Sequence, residues 1–498
     1  MTSGAASLER RRDRRIAGWL GLVACLAYLP LAHGHFTGTD EMGVYLTARA
    51  LYETGGFEVR AGPHRFKGRD GRTYAHFAPA LPLLLVPLYA LGDGAERVLP
   101  AGWLRALAGR PPEGDRIDAL GSPGTFAVAL YAPLASALLV ALFFCFERRL
   151  GASVRSALLA AALLGATSYV ATHSVYLLRH TSEALTLLGG FLGLVVFRAE
   201  GRARALGAAS GMASLTLLVA VPATVALLPL AAYGLFVAWP RLRAAAGPER
   251  ARLVACALLP PLAVLALHVA HNHALWGTFL DSPMVAQRRG FTTPLHVGLA
   301  GFLLSPGASV FLYSPLLLLL VRTLPGFWRA RRAECVTLLA MSLALLLFCS
   351  GFSLWHGLFS APGPRYLFAL TPLLCLPLGP WLDRAGPRER RAVLVLAVAG
   401  LAVQLVLVLS RWSAVIREMG YLEAALRSDF AFLFAPSESP ILGSARAVAE
   451  GQLDVWLVGL ATGFGAGEGA PLAAALLLGL WALALAFALS RLRRAAHP

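Results

Sequence analysis

The feature that most constrains this chain is a series of long apolar segments that recurs from one end to the other. A helix needs about 20 predominantly apolar residues to cross the hydrocarbon core of a bilayer, and many of these segments approach that length. The 498 residues are 57% hydrophobic and only 14% charged, a composition that soluble proteins rarely have. The sequence therefore predicts an all-α polytopic membrane protein.

Short basic clusters between the apolar segments predict the topology. The formal net charge is +17, but the positive charge is dispersed along the chain, as the positive-inside rule describes for cytoplasmic loops. This dispersal argues against a nucleic-acid partner. We expect both termini inside the cell and a multi-pass location in the cytoplasmic (inner) membrane. The clusters taken as cytoplasmic are residues 10–15, 148–155, 198–204, 241–252, 322–332, 384–391 and 491–494.

Parity between these clusters predicts about 12 spans, with about 11 to 13 as the range, because an even number of crossings must separate consecutive cytoplasmic clusters. The run 206–239 is too long for one ordinary span and has Pro222 near its middle, so it predicts two short helices or one broken helix. The other expected spans are residues 16–35, 125–146, 156–171, 183–197, 253–270, 306–321, 335–350, 366–382, 393–409 and 471–489.

Three regions follow from this topology: a transmembrane domain over 1–409, a small outer-face segment over 410–470, and a last helix with a basic tail over 471–498. The first domain contains a long outer loop, residues 36–123. Inside this loop, the apolar segment 78–91 is short and carries three prolines. A full crossing there would invert every later basic loop, so we expect a re-entrant or juxtamembrane helix.

The adjacent carboxylates Asp40 and Glu41, just beyond the first span, are the candidate catalytic residues. A carboxylate at that place can act as a general base on an acceptor hydroxyl, or can hold a divalent metal that binds phosphate. A simpler interpretation is that the pair caps a helix start. The sequence does not decide which of the two would be the base.

The same outer loop is basic, which breaks the positive-inside pattern and suggests an anionic partner such as a lipid phosphate. Generic attraction to anionic headgroups is the alternative explanation. Arg179 and His180 lie at the outer turn between two spans, where Arg179 could instead form an i, i+4 pair with Glu183. The candidate phosphate- or lipid-binding residues are Lys67, Arg72, Tyr74, His76, Arg179, His180 and Arg365.

Arg365 lies in the turn APGPRY, and Trp355, His356 and Tyr366 beside it are candidate contacts for an acceptor or a sugar. The six cysteines all lie in apolar segments without metal-ligand spacing, so neither a disulfide framework nor a structural zinc is expected. No P-loop, HExxH or dinucleotide-binding turn is present in the sequence. We therefore predict no metal site, although a divalent metal at the acidic pair is compatible with the sequence.

Four segments resemble motifs of the GT-C glycosyltransferases, whose relatives include the protein O-mannosyltransferases and the lipid A aminoarabinose transferases. They occur in the order in which a bacterial branch of that superfamily has them. The chain differs from the branch at His356, where a glycine is frequent, and at Phe77 to Pro79, where Lys-Pro-Pro or His-Pro-Pro is frequent. The segments are DGRTYAHFAPALPLLLVPLYALG, NHALWGTFLDSP, LLSPGASVFLYSPLLLL and LWHGLFSAPGPRYLFALTPLL.

The resemblance implies a GT-C-like membrane enzyme that takes its sugar from a polyprenyl-phosphate donor. It implies that Asp40 activates the acceptor and that basic residues of the outer loop, with Arg365, lie near the donor phosphate. We thus expect an inverting transferase whose site faces the periplasm or exterior and whose acceptor is a lipid, a glycan or a protein. A multi-span transporter or flippase of a lipid-linked or anionic substrate is the alternative from another class.

Overall fold

The structure, a computed structural model of the chain, describes residues 3–60, 62–98, 123–279, 290–358, 360–421, 430–461 and 470–496. Helices dominate these residues, and strands β1 (Arg65–Lys67) and β2 (Thr73–Ala75) pair as one antiparallel hairpin. Parts of the expected outer loop 36–123 and of the segment 410–470 lie outside the described residues.

Eight helices in the described part of the chain are long and apolar enough to cross a membrane, and each overlaps a span expected from the sequence. This architecture fits the predicted class, an all-α polytopic membrane protein. The largest cluster of buried apolar side chains joins helices from the whole length of the chain. The eight helices are Ser7–Leu31, Gly124–Leu150, His180–Glu200, Val221–Ala244, Gly247–Trp276, Arg332–Gly351, Pro387–Leu409 and Ala474–Ala496.

Four further apolar helices are shorter, and three of them fall on expected spans. The fourth, Leu295–Leu304, was not expected, since it lies between the expected spans 253–270 and 306–321 and its ten residues are too few to cross a bilayer. The expected span 306–321 is divided into Val310–Tyr313, the 3-10 helix Pro315–Leu319 and Leu320–Ala330. The three short helices on expected spans are Val154–Thr167, Ala203–Val219 and Leu370–Leu382.

The apolar run 206–239 is broken, as its length and Pro222 predicted. The helical residues up to Val219 end at Ala220, whose backbone is extended with φ −161° and ψ 110°. The 3-10 helix Val221–Ala226 and the helix Leu227–Ala244 follow. Proline has no N–H group to donate to the preceding turn, so the break at Pro222 needs no other cause.

The first outer loop folds around its own small core. After the first helix, α1 (Ser3–Tyr28), helix α2 (Thr39–Thr54) follows its N-cap Gly38, and helix α3 (Ala80–Glu96) covers most of the short apolar segment 78–91. Side chains from both helices pack together, among them Met42, Tyr45 and Leu81. Helix α3 is not one of the eight helices of spanning length, and its placement as a re-entrant element stays a prediction.

The segment after the helix Pro387–Leu409 packs back onto the end of the first long helix. The Trp456 indole N–H donates to the carbonyl oxygen of Leu29 at 2.8 Å, and His35 pairs with Asp454 at 2.6 Å. These contacts connect the segment to the start of the first outer loop. Its helical elements are Trp412–Glu418, Ala431–Phe434, Pro436–Glu438, Pro440–Ala449 and Trp456–Ala461.

Candidate functional site

Glu41 is a buried carboxylate that fixes the start of α2. Its Oε2 atom accepts hydrogen bonds from the N–H groups of Thr37 at 2.7 Å and Gly38 at 2.9 Å, and its Oε1 atom accepts one from the N–H group of Leu177 at 2.6 Å. Burial raises the pKa of Glu41, while these backbone donors oppose that shift. Both carboxylate oxygens are therefore occupied in holding the backbone together.

Asp40 contacts a different set of groups, although it precedes Glu41 directly. The Nη1 atom of Arg365 donates to Asp40 Oδ2 at 2.7 Å, and the Ser360 hydroxyl donates to the same oxygen at 3.1 Å. The Nε2 atom of His64 lies 3.3 Å from Asp40 Oδ1. The side chain of Asp40 is 25% exposed, whereas that of Arg365 is 5% exposed. The site thus opens on the Asp40 side.

The groups around Asp40 stabilise the ionised form of its carboxylate. Burial disfavours its charged form, but the Arg365 guanidinium and the His64 imidazole outweigh burial and hold the pKa of Asp40 well below its ordinary value. A general base works best when its pKa lies near the operating pH. Asp40 would therefore accept a proton readily only after Arg365 engages another anion.

Arg365 is held in place by its neighbours. Its guanidinium lies 4.9 Å from the centre of the Tyr366 ring, and its Nη2 atom donates to the Tyr366 hydroxyl at 3.2 Å. Gly357 leaves room for it, since a Cβ at that position would lie 2.8 Å from Arg365 Nε. Among the described residues, the buried Nε–H group of Arg365 has no hydrogen-bond acceptor. An incoming anion would satisfy this donor.

His180 contacts Tyr366, and Arg179 precedes His180 directly at the start of the helix His180–Glu200. The His180 ring packs edge to face against the Tyr366 ring, with 5.6 Å between centres. Both Arg179 and His180 contact the Glu183 carboxylate, at 2.9 and 3.1 Å. The i, i+4 pair that the sequence suggested is therefore present. These groups extend the charged cluster beyond Arg365.

The basic side chains of the outer loop form two groups, one near Asp40 and one on the β hairpin. His64 belongs to the Asp40 cluster, which consists of Asp40, His64, Ser360 and Arg365. The His76 ring lies 5.2 Å from the His64 ring and stacks on Phe77 at 4.4 Å. Burial lowers the pKa of His76 to about 4, and the nearby His64 adds to that effect. His64 also has a positive φ of 56°, which is uncommon for a residue other than glycine.

Lys67, Arg72 and Tyr74 lie on the hairpin, and the structure does not place them with Asp40. The Tyr74 hydroxyl donates to Asp70 at 2.6 Å, and Arg72 lies 3.8 Å from the same carboxylate. The Lys67 side chain is exposed. The β pairing explains this, because it fixes where each side chain of the hairpin points.

Trp355 and His356 are both buried below the Arg365 turn. Trp355 packs on Phe302 at 5.1 Å between ring centres, and Gly301 accommodates its indole, since a Cβ there would come within 1.9 Å. Burial lowers the pKa of His356 to about 3, and the Arg365 charge contributes. Full burial makes Trp355 a packing residue in this arrangement instead of an exposed sugar contact.

Ser360 is the site residue that the sequence did not indicate, whereas His64 belongs to the basic outer loop in which an anion-binding site is expected. Ser360 precedes the APGPRY turn directly, and a hydroxyl beside a proposed phosphate ligand is the signal that was available. No group of three or more histidine, cysteine, aspartate or glutamate side chains in the described part of the chain is arranged to hold a metal ion. His268 pairs with Asn272, and His273 with Arg69.

Comparison with known proteins adds no relative: no model of a protein family matches this chain, and no curated protein matches it.

Proposed function

We propose that this chain is an inverting GT-C-type glycosyltransferase of about 12 spans in the cytoplasmic membrane, with its site on the outer face. It would transfer a sugar from a polyprenyl-phosphate donor to an acceptor lipid, glycan or protein. The observation that carries the proposal is the Asp40–Arg365 pair, which joins the first outer loop to the APGPRY turn. This pair combines a base and a phosphate ligand at one opening.

The donor phosphate would bind to Arg365. The guanidinium is buried, and its Nε–H group lacks an acceptor among the described residues. Arginine binds phosphate oxygens through paired N–H donors. A phosphate at this position would compete with Asp40 for the guanidinium. Donor binding would thereby weaken the ion pair that keeps Asp40 ionised and weakly basic.

Asp40 would then take the proton from the acceptor hydroxyl. The acceptor oxygen forms a bond to the anomeric carbon from the face opposite the phosphate, and the bond from that carbon to the phosphate oxygen breaks. The electron pair leaves with the polyprenyl phosphate, whose charge Arg365 stabilises, with Arg179 and His180 further along the cluster. A single displacement of this kind inverts the anomeric centre. The polyprenyl chain would lie along α3, and a metal is not required.

Transfer of labelled sugar from polyprenyl-phosphate donors, in vesicles that contain the purified protein, tests Asp40. We expect Asp40→Asn to reduce transfer about 100-fold or more, the typical contribution of a general base. Asp93→Asn is the matched control, since Asp93 is a carboxylate of the same outer loop that is 26% exposed, close to the 25% of Asp40, and also pairs with an arginine, Arg97. Undiminished transfer by folded Asp40→Asn would remove Asp40 from the mechanism. Movement of the lipid without a new glycosidic bond would support a flippase instead.

Steady-state kinetics test the phosphate ligand. Arg365→Ala should raise the KM for the donor more than the KM for the acceptor, because only the donor carries the phosphate. Arg97→Ala, which removes an exposed arginine from the same loop, should change neither. Equal effects of Arg365→Ala on the two substrates would contradict the assignment.

A further inference from the structure

A large cavity lies at the far end of the helix His180–Glu200 from the Asp40 cluster. Its volume is about 1190 Å³, and Val195, Arg198 and Ala199 of that helix line it. His180 begins the same helix, and at 1.5 Å per residue the two ends lie about 30 Å apart. The cavity is therefore separate from the proposed active site, and the proposed function does not use it.

Arginines at or next to the ends of four helices converge on this cavity. They belong to the basic clusters 148–155, 198–204 and 322–332, which the positive-inside pattern predicts to be cytoplasmic. Helix ends that are distant in the sequence thus meet around one space. The six arginines that line it are Arg148, Arg149, Arg198, Arg329, Arg331 and Arg332.

Half of these arginines are neutralised by carboxylates. Arg148 pairs with Glu9 and Asp13, Arg149 pairs with Glu200, and Arg198 pairs with Glu334. Glu334 is the one carboxylate among the described residues that line the cavity.

The other three arginines carry uncompensated charge. In the part of the chain that the structure describes, no carboxylate pairs with Arg329, Arg331 or Arg332. Arg331 donates to the carbonyl oxygen of Leu150 at 3.3 Å, and the Arg332 guanidinium lies 5.3 Å from the Trp328 ring centre. Neither contact neutralises a charge. The six arginines outnumber the four carboxylates that pair with them in the described part of the chain, so the cavity carries an excess of positive charge.

Apolar side chains from two helices of spanning length also line the cavity. Phe236 and Val336 line it, and 58% and 47% of their surfaces are exposed on two helices of spanning length. Ala232 and Ala340 leave space beside them. A basic rim next to an apolar wall matches a molecule with an anionic head and long hydrocarbon chains. The volume of the cavity exceeds the 300–1,000 Å³ usual for small-molecule sites, so the cavity has room for a headgroup and part of the hydrocarbon chains.

We propose that this cavity binds the phosphate headgroup of an anionic membrane lipid from the cytoplasmic leaflet. Arg329, Arg331 and Arg332 contact the phosphate, and the hydrocarbon chains lie along Phe236 and Val336. Basic pockets between helices on the cytoplasmic side are known to select such headgroups. A phosphate ester on long apolar chains is the chemistry required. Glycerophospholipids and polyprenyl phosphates both supply it.

Lipid binding to the purified full-length protein tests the proposal. The probes are phosphatidylglycerol, a polyprenyl phosphate and, as the zwitterionic comparison without net charge, phosphatidylcholine. The variant is R329Q/R331Q/R332Q. The matched control, R384Q/R388Q/R390Q, removes three exposed arginines from another basic cluster. With about 1 kcal/mol per basic residue, the first variant should bind the anionic lipids about 100-fold more weakly, and the control should retain its affinity.

The outcomes separate a built site from a generic basic surface. An equal loss of affinity in both triple variants, or no loss in either, would overturn the proposal. Ala340→Trp fills the apolar wall without a charge change, and it should weaken binding of the long-chain lipids while the arginines remain. Competition between the two anionic lipids identifies the source of the phosphate, since the preferred lipid displaces the other at the lower concentration.

Discussion

The two partners of the Asp40–Arg365 pair are unequally buried. Replacing Asp40 should therefore change the free energy of unfolding by a different amount than replacing Arg365. The side chain of Arg365 is 5% exposed and that of Asp40 is 25% exposed. Asp40→Asn leaves a buried guanidinium without its counter-charge. Arg365→Met leaves a carboxylate that water reaches and that Ser360 and His64 still contact. The first change should be the more destabilising.

The expected magnitudes follow from this geometry. Removing one partner of a fully buried ion pair costs about 3–5 kcal/mol. Because Asp40 is partly exposed, we expect about 2 kcal/mol for Asp40→Asn and about 1 kcal/mol for Arg365→Met. The double variant should cost about 1 kcal/mol, since it leaves no buried charge. The coupling between the two positions is then about 2 kcal/mol.

Denaturation by SDS in mixed micelles, followed by the fluorescence of the ten tryptophans, measures the free energy of unfolding. The wild type, the two single variants and the double variant together form a double-mutant cycle. The matched control is the Asp93–Arg97 pair, which has the same 2.7 Å separation but an arginine that is 74% exposed. Its coupling should not exceed about 0.5 kcal/mol. Effects at Asp40 and Arg365 that add to within about 0.5 kcal/mol would refute the reasoning.

Three further predictions concern the same region. Glu41→Gln places an amide N–H₂ group against a buried backbone donor, so it should lower the unfolding free energy by about 2–4 kcal/mol; unchanged thermal stability would contradict this. Gly357 (φ 66°) and Gly420 (φ 63°) have similar backbones, but only at Gly357 would a Cβ meet Arg365. Gly357→Ala should therefore displace Arg365 and weaken donor binding, whereas Gly420→Ala should only strain the backbone. Equal donor affinities of the two variants would contradict this. Because His76 has a pKa of about 4, against 6.5 when unfolded, the unfolding free energy should fall as pH is lowered from 6.5 to 4. His76→Asn should reduce that slope.

Much of the fold was predictable from the sequence because helix formation in a membrane is a local property. A sufficiently long apolar run must satisfy its backbone hydrogen bonds internally, and a helix does so without distant partners. The eight long helices and the break near Pro222 follow from length, composition and proline alone. The short helix Leu295–Leu304 was missed because ten residues give no signal of a span.

The arrangement of the candidate site needed the tertiary structure. The sequence indicated Asp40, Glu41 and Arg365 as candidates, but it did not assign them different contacts. Packing directs Glu41 to backbone N–H groups and Asp40 to a guanidinium 325 positions away, and it keeps Lys67 on an exposed strand. Such contacts depend on how distant helices pack, which local composition does not encode. The sequence thus determined where the eight long apolar helices lie, and only the folded chain decided which charges meet.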